Sequence, residues 1–435
     1  MPNSLLSYLF SPKEPSIQIG RIEGSFFQYD YLTDGELNHH VHVLGASGFG
    51  KTVLINKIMK QRLFQGQGLL WIDLKGDIET INQMREAVKA SGRENDLKIF
   101  SISHAEFSGT YNFVKVGNAT ELRDKIMRSL EWSDKFYETQ SSSYLLKLFI
   151  GYCWLRDNQS FNFDLAAVLE GLSSVEYIAD LCVKVPDSEP KVKKALEDCY
   201  TYLNSSTTYL NLSGLRSQIE SLVLADFGIF LREDQNGIDL FSEIKGQKVV
   251  FIFLDSRRYG ESAKSLGRIL IRDIIATSAR IDAEVAAIDR KVFTVMIDEF
   301  PDIAHEDFTA FPDRARSSKM CLVLGHQSMS DLDKVSDTFA KRLATNISSL
   351  YSFLQPVQES AEAVSSRAGT RTVYKETERT KRLLFWDLPT GDKSLREVEE
   401  FVIHPNTVKS LRVGECVVIK KYPNSRAYKI KVSLT

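Results

Sequence analysis

The feature that most constrains the fold of this chain is a glycine-rich turn at residues 45–52, GASGFGKT. The short run VHVL leads directly into this turn, and apolar residues at helical spacing follow it. The string matches the pattern G-x-x-x-x-G-K-[ST], which is typical of a loop that wraps around phosphate groups. Its residues are Gly45, Ala46, Ser47, Gly48, Phe49, Gly50, Lys51 and Thr52. The sequence therefore predicts a strand, a phosphate-binding loop and a helix, in that order.

Each residue type in this turn has a chemical reason. Glycines let successive backbone N–H groups point inward around an anion, and the following helix presents the positive end of its dipole. Lys51 is placed to reach the β- and γ-phosphates of a nucleotide, and Thr52 is placed to ligate Mg²⁺. The alternative is an ordinary glycine-rich turn, although chance alone seldom produces the whole string.

A second motif predicts the rest of the metal site. The run VFTVMIDEF is an apolar strand that ends in Asp298 and Glu299. We expect Asp298 to hold Mg²⁺, directly or through water, and Glu299 to orient or deprotonate the attacking water. These roles predict nucleotide hydrolysis, and they require that folding bring both carboxylates beside the glycine turn. An acidic pair after a strand is also common as a helix-starting cap, and that alternative stays open here.

Polar residues around the next strand are further candidates. Gln327 ends the predicted strand MCLVLGHQ, where its amide would sense the γ-phosphate or position water, unless it is simply a polar strand end. We expect His326, beside it, to be structural. Arg314 and Arg316 precede this strand, and Arg316 is the candidate for an arginine finger that reaches a neighbouring subunit's nucleotide. A solvated basic turn is the alternative for both arginines.

The nucleotide base is predicted from an absence in the sequence. Asp73 and Gly76, in WIDLKGD, match the short D-x-x-G string of GTPases. The guanine-reading N-K-x-D string is missing, and its nearest match, NKIM, lies in the helix after the glycine turn. We therefore expect an adenine nucleotide, so ATP and Mg²⁺ are the predicted cofactors.

Composition predicts a globular, cytoplasmic protein. The chain has 435 residues, of which 43% are hydrophobic and 26% charged, and its net charge is -2. This balance argues against a uniformly basic nucleic-acid coat. The five cysteines are odd in number and widely spread, which argues against a disulfide framework or a zinc site. The first apolar run is too short for a signal peptide, and no window reaches the roughly 18 apolar residues of a membrane span.

The pattern of apolar residues divides the chain into three parts. Residues 1–115 contain short buried-type strands and form the first part of a nucleotide-binding domain. Residues 116–225 carry apolar residues at spacings of three and four, which predicts an all-α insertion domain with its own core. Residues 226–435 return to strands and complete the nucleotide-binding domain. The sequence thus predicts an α/β fold with a mostly parallel central sheet.

Four segments in a fixed order resemble the TraD/TraG family, the coupling ATPases of conjugation and type IV secretion. These segments are HHVHVLGASGFGKT, GLLWIDLKGD, VMIDEF and LVLGHQSMSDLDKV, with the helical block between the second and third. The resemblance implies a RecA-like P-loop NTPase that forms a homo-hexameric ring. It implies Lys51 and Thr52 as phosphate and Mg²⁺ ligands, Asp298 and Glu299 as metal and water residues, Gln327 as sensor, and Arg316 as a trans finger.

The resemblance also implies partners, namely DNA in the ring channel and relaxosome or secretion-system proteins. Many proteins of that family begin with transmembrane helices, whereas this sequence begins with none, so we expect it to reach the inner membrane only through a partner. The all-α insertion would be the cargo-facing end.

Two basic segments are candidates for contact with DNA. The first holds Arg367, Arg371, Lys375, Arg379, Lys381 and Arg382. The second holds Arg257, Arg258, Lys264 and Arg268. Six copies of either segment around a channel would multiply phosphate contacts. The alternative is a solvated charge run, in the first case on an exposed mobile loop.

The predicted function is an ATP-hydrolysing coupling motor that delivers DNA, nucleoprotein or protein to a type IV secretion channel. One alternative is a double-stranded DNA translocase similar to FtsK and HerA. Another is a nucleotide-gated secretion adaptor with little motor activity. A small-molecule kinase is less favoured, because the acidic pair suits water activation and the sequence contains no evident acceptor site.

Overall fold

The computed structural model describes residues 14–336, 338–383 and 386–432, and between 376 and 395 it describes backbone only. The chain forms two compact units. The first unit contains Met1–Ile58 and Val323–Thr435, and the second contains Met59–Leu322. This division differs from the boundaries at 115 and 225 expected from the sequence, which remain a prediction about domains.

The strands and helices are numbered in chain order. The strands are β1 Ser16–Ile22, β2 Tyr29–Thr33, β3 Val41–Leu44, β4 Gly68–Asp73, β5 Leu97–Ser101, β6 Val249–Phe253, β7 Phe293–Ile297, β8 Met320–His326, β9 Ser349–Ser352, β10 Thr370–Leu383, β11 Trp386–Phe401, β12 Glu415–Lys420 and β13 Arg426–Val432. The helices are α1 Asp34–Asn38, α2 Lys51–Phe64, α3 Ile78–Ala90, α4 Ala119–Met127, α5 Lys135–Gln159, α6 Leu165–Gly171, α7 Val175–Lys184, α8 Pro190–Asn204, α9 Ser206–Leu210, α10 Ser213–Val223, α11 Leu240–Lys245, α12 Ser256–Glu284, α13 Phe311–Ala315, α14 Phe339–Asn346, α15 Gln358–Ala368 and α16 Pro405–Lys409.

The first unit is built on a mixed sheet in which β3 lies between β9 and β8. Its strand order is β2-β1-β13-β12-β9-β3-β8. Strand β3 pairs in parallel with β8, where Val41 faces Val323, and with β9, where Val41 faces Ser349. The other pairs are antiparallel. Every residue of β3 and β9 is buried, so these strands present side chains to packed layers on both faces.

The second unit contains a parallel sheet of order β7-β4-β6-β5. In this sheet Leu70 of β4 faces Val250 of β6 on one side and Val295 of β7 on the other. Strands β4, β6 and β7 are buried along their whole length. Strands covered on both faces read as continuous apolar runs, which is why GLLWID, VVFIF and FTVMI could be predicted from the sequence.

A helical block separates β5 from β6. Residues 102–248, all of which the structure describes, contain helices α4 to α11 and no strand. The long helix α5 organises this block, because Tyr144 and Tyr152 donate hydrogen bonds to the carbonyl oxygens of Gly171 and Ala167. Gly151 lets α8 approach closely, since a Cβ there would lie 2.4 Å from a methyl carbon of Leu196. The predicted fold class, α/β with a helical insertion, is confirmed.

Two pairs of strands were not predicted. Strands β1 and β2 precede the glycine turn. Buried and partly exposed residues alternate along them, so they contain no continuous apolar run that would predict a strand. Strands β10 and β11 form a separate antiparallel hairpin, which begins with the pair Thr370 and Phe401. The expectation of a loop in the basic segment from 367 to 382 is therefore wrong, because backbone pairing orders a polar sequence that lacks an apolar period.

In the described part of the chain, no helix combines the length and the apolar character that crossing a bilayer requires.

Candidate functional site

The glycine turn has the geometry of a phosphate cradle. It leaves β3 at Gly45, and α2 begins at Lys51. Gly48 and Gly50 have φ angles of +83° and +119°, which L residues with a side chain rarely adopt. This curvature lets backbone N–H groups converge on an anion at the start of the helix. Lys51 is 6% exposed at the first position of α2, and Thr52 follows it, so the residues present suit a nucleotide polyphosphate with its Mg²⁺.

Phe353, directly after β9, packs against this turn. A Cβ at Gly45 would lie 2.6 Å from the Cβ of Phe353, and a Cβ at Gly50 would lie 2.9 Å from its Cε1. The Phe353 N–H donates to the Leu44 carbonyl at 2.8 Å, which ties the ring to the end of β3. Gly45 and Gly50 therefore leave room for the Phe353 side chain, and Gly50 also has a positive φ. Phe353 was not predicted from the sequence, since a phenylalanine after an apolar strand carries no motif.

The backbone of Gln327 lies beside the glycine turn. The Gly45 N–H lies 3.3 Å from the His326 carbonyl oxygen and 3.2 Å from that of Gln327. The Gln327 carbonyl also accepts a hydrogen bond from Nε2 of Gln355 at 2.9 Å. The side chain of Gln327 is exposed, so its amide is available at the edge of the cradle. Its role as a sensor stays a prediction, and Gln355, which helps to fix its backbone, was missed.

A buried histidine pair lies under the cradle. The ring of His42, in the middle of β3, meets the ring of His326 edge-on, with centroids 5.2 Å apart. Nδ1 of His326 bonds to the Ser328 carbonyl at 2.7 Å, which agrees with its expected structural role. Burial lowers the pKa of His42 well below its ordinary value, and the charges of His326, Arg367 and His40 act in the same direction. His42 is therefore neutral in the folded protein at neutral pH.

This histidine predicts a pH dependence of stability. Because the pKa of His42 is lower in the folded chain than in the unfolded chain, the unfolded chain binds more protons as the pH falls through about 6.5. The free energy of unfolding should then decrease by up to about 1.4 kcal/mol per pH unit on account of this residue. In urea titrations from pH 8 to 5.5, His42→Phe should unfold with a shallower pH slope than the parent. His404→Asn, at an exposed helix cap, should keep the parent slope; an unchanged slope in His42→Phe would contradict the assignment.

In the second unit, a lysine bridges the predicted acidic pair. Asp298 follows β7, and its N–H donates to the Ile72 carbonyl in β4 at 3.1 Å. The Nζ atom of Lys75 lies 3.1 Å from Oδ2 of Asp298 and 3.2 Å from Oε1 of Glu299. Lys75 lies in the string WIDLKGD, but no role was predicted for this lysine from the sequence. That Asp298 and Glu299 complete the metal shell of the cradle stays a prediction.

The charged groups in this cluster shift one another's pKa values. Burial raises the pKa of Asp73, as does the negative charge of Asp298, while hydrogen bonds from the N–H groups of Lys75 and Gly76 oppose the rise. Burial lowers the pKa of Lys75, but the charges of Asp298 and Glu299 and their hydrogen bonds outweigh it and raise the pKa overall. Lys75 is therefore a firmly charged ammonium group between two carboxylates.

Glu299 has a strained backbone. Its φ and ψ angles are 56° and 42°, in the left-handed region, where a residue other than glycine costs about 1–3 kcal/mol. Its N–H donates to Oδ1 of Asp298 at 3.1 Å, so the two acidic residues form one local turn. A short 3₁₀ segment, Phe300–Asp302, follows immediately. This conformation fixes the direction of the Glu299 side chain, as a residue that orients water requires.

The loop that carries Lys75 is held on several sides. Oδ1 of Asp73 accepts the N–H groups of Lys75 and Gly76 at 2.6 and 3.2 Å. Nε2 of His104 lies 3.0 Å from the Gly76 carbonyl oxygen, and the Ser256 hydroxyl donates to the Leu74 carbonyl at 3.0 Å. The string Asp73-x-x-Gly76 is thus a structured turn after β4, and its glycine is required by a φ of +63°.

The arginine predicted as a trans finger lies at the end of α13. Arg316 pairs with Asp313, and its side chain is 39% exposed. Arg314, two residues earlier, is also exposed. An arginine finger acts on a neighbouring subunit's nucleotide, so the role of Arg316 stays a prediction.

Three basic side chains in the described part of these two segments, Lys264, Arg268 and Lys375, are paired with acids. Arg367 is half-buried and donates to the Ile347 carbonyl, and its partial burial lowers its pKa to about 10. Lys375 pairs with Glu400, and Arg371 faces Glu400 across the hairpin. The side chains of Arg379, Lys381 and Arg382 lie outside the described residues. In the second segment, Lys264 pairs with Glu261, and Arg268 pairs with Glu131 and Glu261.

Among the described residues, no group of three or more His, Cys, Asp or Glu side chains is arranged to hold a metal ion.

Comparisons of the sequence with known proteins identify coupling proteins. The family model described as the TraM recognition site of TraD and TraG matches residues 293–412. The type 4 coupling protein DotL of Legionella pneumophila is 20% identical in an alignment of 371 residues that covers 73% of this chain and 47% of DotL. The chain thus spans about half the length of this curated relative.

Comparisons of the fold identify the bacterial conjugative coupling protein TrwB. Its unbound structure matches with a TM-score of 0.67 and 16% identity over 99% of this chain and 91% of that one. TrwB structures with the non-hydrolysable ATP analogue ADPNP and with ADP and Mg²⁺ match with TM-scores of 0.65 and 0.64, each at 16% identity and over 99% of this chain. They cover 92% and 91% of the TrwB chains. The resemblance to the TraD/TraG coupling proteins is confirmed.

Proposed function

We propose that this chain, which resembles the coupling proteins of type IV secretion in sequence and in fold, is an ATP-hydrolysing coupling motor. It would deliver DNA, nucleoprotein or protein substrate to a secretion channel. The observation that carries the proposal is the phosphate cradle at Gly45–Thr52, with its left-handed glycines and a lysine at the first position of α2. TrwB, whose fold matches, binds ADPNP, and ADP with Mg²⁺, which supports the same ligands here.

The chain's own residues would divide the work of hydrolysis. The backbone N–H groups of the glycine turn bind the phosphates, and Lys51 offsets their charge. Thr52 and Asp298 hold Mg²⁺, which when bound neutralises charge on the β- and γ-phosphate oxygens. Glu299 orients water in line with the γ-phosphate, and Gln327 senses that phosphate at the edge of the cradle.

We propose a homo-hexameric ring in which Arg316 acts on the neighbouring subunit's nucleotide. The resemblance to ring-forming coupling ATPases supports this assembly, and the exposed position of Arg316 permits it. The segment 293–412, which matches the TraM recognition site of TraD and TraG, is the proposed contact with a relaxosome or secretion-system protein. We propose a cytoplasmic location, with membrane association through such a partner.

A concentration series tests the motor. If catalysis needs a neighbouring subunit, ATPase activity per subunit should rise by about tenfold as the protein concentration passes the assembly constant. DNA should raise the activity further, and the increase should weaken steeply with salt, because the contacts are to phosphates. The measurement is steady-state phosphate release across protein concentration, with and without DNA at two salt concentrations. Activity per subunit that is independent of concentration would reject the ring.

One observation favours a second candidate, a nucleotide-gated adaptor for protein cargo. Among the described basic side chains, Lys264, Arg268 and Lys375 are paired with acids, which reduces the positive charge available to DNA. The adaptor would show nucleotide-dependent cargo binding and negligible stimulation by DNA in the same experiment. Strong stimulation by free duplex DNA, without any secretion partner, would instead support a double-stranded DNA translocase.

A further inference from the structure

Lys75 lies where a cation is needed. Its ammonium group is within 3.2 Å of both carboxylates of the strand-end pair, and its side chain is 34% exposed. The side chains of Asp298 and Glu299 are only 2% and 20% exposed, and Asp73 is a third buried carboxyl group in this region. Carboxylates withdrawn from water require a counter-charge, since burying a charge without one is costly.

The position of Lys75 is built into the fold. Asp73 holds its N–H, and contacts from Ser256 and His104 fix the residues on either side. Gly76 permits the turn, because a Cβ there would lie 2.7 Å from the Cβ of Asp255. A surface lysine that met an acid by chance would have no such support, so the loop serves to present this ammonium group.

We propose that Lys75 is an internal counter-cation that a divalent metal must displace from Asp298 and Glu299. This inference rests on the proposed function, in which Asp298 is a metal ligand. The lysine keeps the acidic pair neutralised while no nucleotide is bound. It also keeps the affinity of the pair for free metal low, so that metal enters together with the nucleotide phosphates.

The geometry supports competition between the two cations. A Mg²⁺ ion binds carboxylate oxygen at about 2.1 Å, so an ion on the oxygen that Lys75 contacts would lie within about 5 Å of the ammonium nitrogen. Two cations at that separation repel each other in a partly buried site. Bound metal therefore requires that the ammonium group move away from Asp298, and the partial exposure of Lys75 gives its chain a route to solvent.

Metal binding without nucleotide tests the proposal. Mn²⁺ titrations of the nucleotide-free protein, followed by electron paramagnetic resonance of free Mn²⁺, should show that Lys75→Met binds the ion about tenfold more tightly than the parent. Lys75→Arg, which keeps the charge, should bind as weakly as the parent. Lys248→Met is the matched control, because Lys248 is 36% exposed and pairs with Asp96 at 2.6 Å in the same unit. It should also bind as the parent does.

The gain must belong to the acidic pair. Adding Asp298→Asn to Lys75→Met should abolish the gain in Mn²⁺ affinity. The proposal is overturned if Lys75→Met binds Mn²⁺ no more tightly than the parent, which includes undetectable binding by both proteins. It is also overturned if the gain in affinity persists when Asp298→Asn is added. Because no turnover is measured, a protein that shows the gain but hydrolyses no ATP would reject the motor and retain this role for Lys75.

A second measurement on the unaltered protein covers the case in which Lys75→Met does not fold. Amine acetylation, quantified by mass spectrometry, should modify Lys75 several-fold faster when ADPNP and Mg²⁺ are added, since its ammonium group is then released. Lys248 in the same sample should react at a constant rate. An unchanged or slower reaction of Lys75 overturns the proposal.

Discussion

Replacement of Lys51 by alanine should lower ATP turnover by about 10²- to 10³-fold. Lys51 is the first residue of α2, and its side chain is almost fully buried beside the glycine turn. In phosphoryl transfer, charge spreads over the oxygens of the transferred group, and a fixed cation stabilises that charge more than it stabilises the ground state. The methyl group of alanine cannot replace this charge, so the substitution should lower kcat as well as raise KM.

The measurement is steady-state ATP hydrolysis together with nucleotide affinity by calorimetry. Lys60→Ala is the matched control, because Lys60 lies on the same helix and is exposed. It should retain parental turnover. Circular dichroism should show that both variants are folded. If Lys51→Ala keeps turnover close to the parent's while binding nucleotide, the glycine turn is not the catalytic cradle.

The cradle could be predicted from the sequence because its signals are local. A strand, a run of glycines and a helix that begins with lysine follow one another directly, and each reflects a backbone requirement at its own position. Phe353 and Gln355 could not be predicted, since they meet the turn only after the chain has returned through the sheet. The need for glycine at residue 50 has a second cause besides its positive φ, the Phe353 ring, and no local pattern contains it.

The pairing of the basic segment with acids, in contrast, could not be predicted from the sequence. The sequence records the density of positive charge around Arg371 and Lys375 but not the strand that lies opposite. The hairpin places the acid-rich end of β11 beside these residues, and Lys375 pairs with Glu400. Charge runs therefore predict a basic surface only where the cross-strand partner is known.

The position of Lys75 could be predicted from the sequence only in part. Its string was recognised as a feature shared with coupling proteins, and strand β4 before it was predicted from an apolar run. Its contact with Asp298 depends on β4 and β7 being neighbours in the parallel sheet. Strand order is a long-range property, and the apolar runs that predict the strands do not encode it.

Replacement of Glu299 by glutamine should lower kcat by about 10²- to 10³-fold. This is the range expected when a group that acts in the transition state is lost. Glutamine keeps the shape and the hydrogen-bonding reach of the side chain but removes its basicity. Nucleotide binding should stay within about threefold of the parent's, because the glycine turn and Lys51 supply most of the phosphate contacts. A loss in kcat without a loss in affinity is the signature of a residue that handles water.

Two further variants separate chemistry from backbone strain. Glu299→Gly removes the same carboxylate and also relieves the left-handed conformation, so it should be more stable than Glu299→Gln by about 1 kcal/mol and equally inactive. Asp302→Asn neutralises an exposed acid at the end of the next turn and should keep parental turnover. Single-turnover hydrolysis and urea unfolding of the three proteins measure these effects. If Glu299→Gln turns over ATP at the parental rate, another residue positions the water, and the strained turn after β7 serves only to present Asp298.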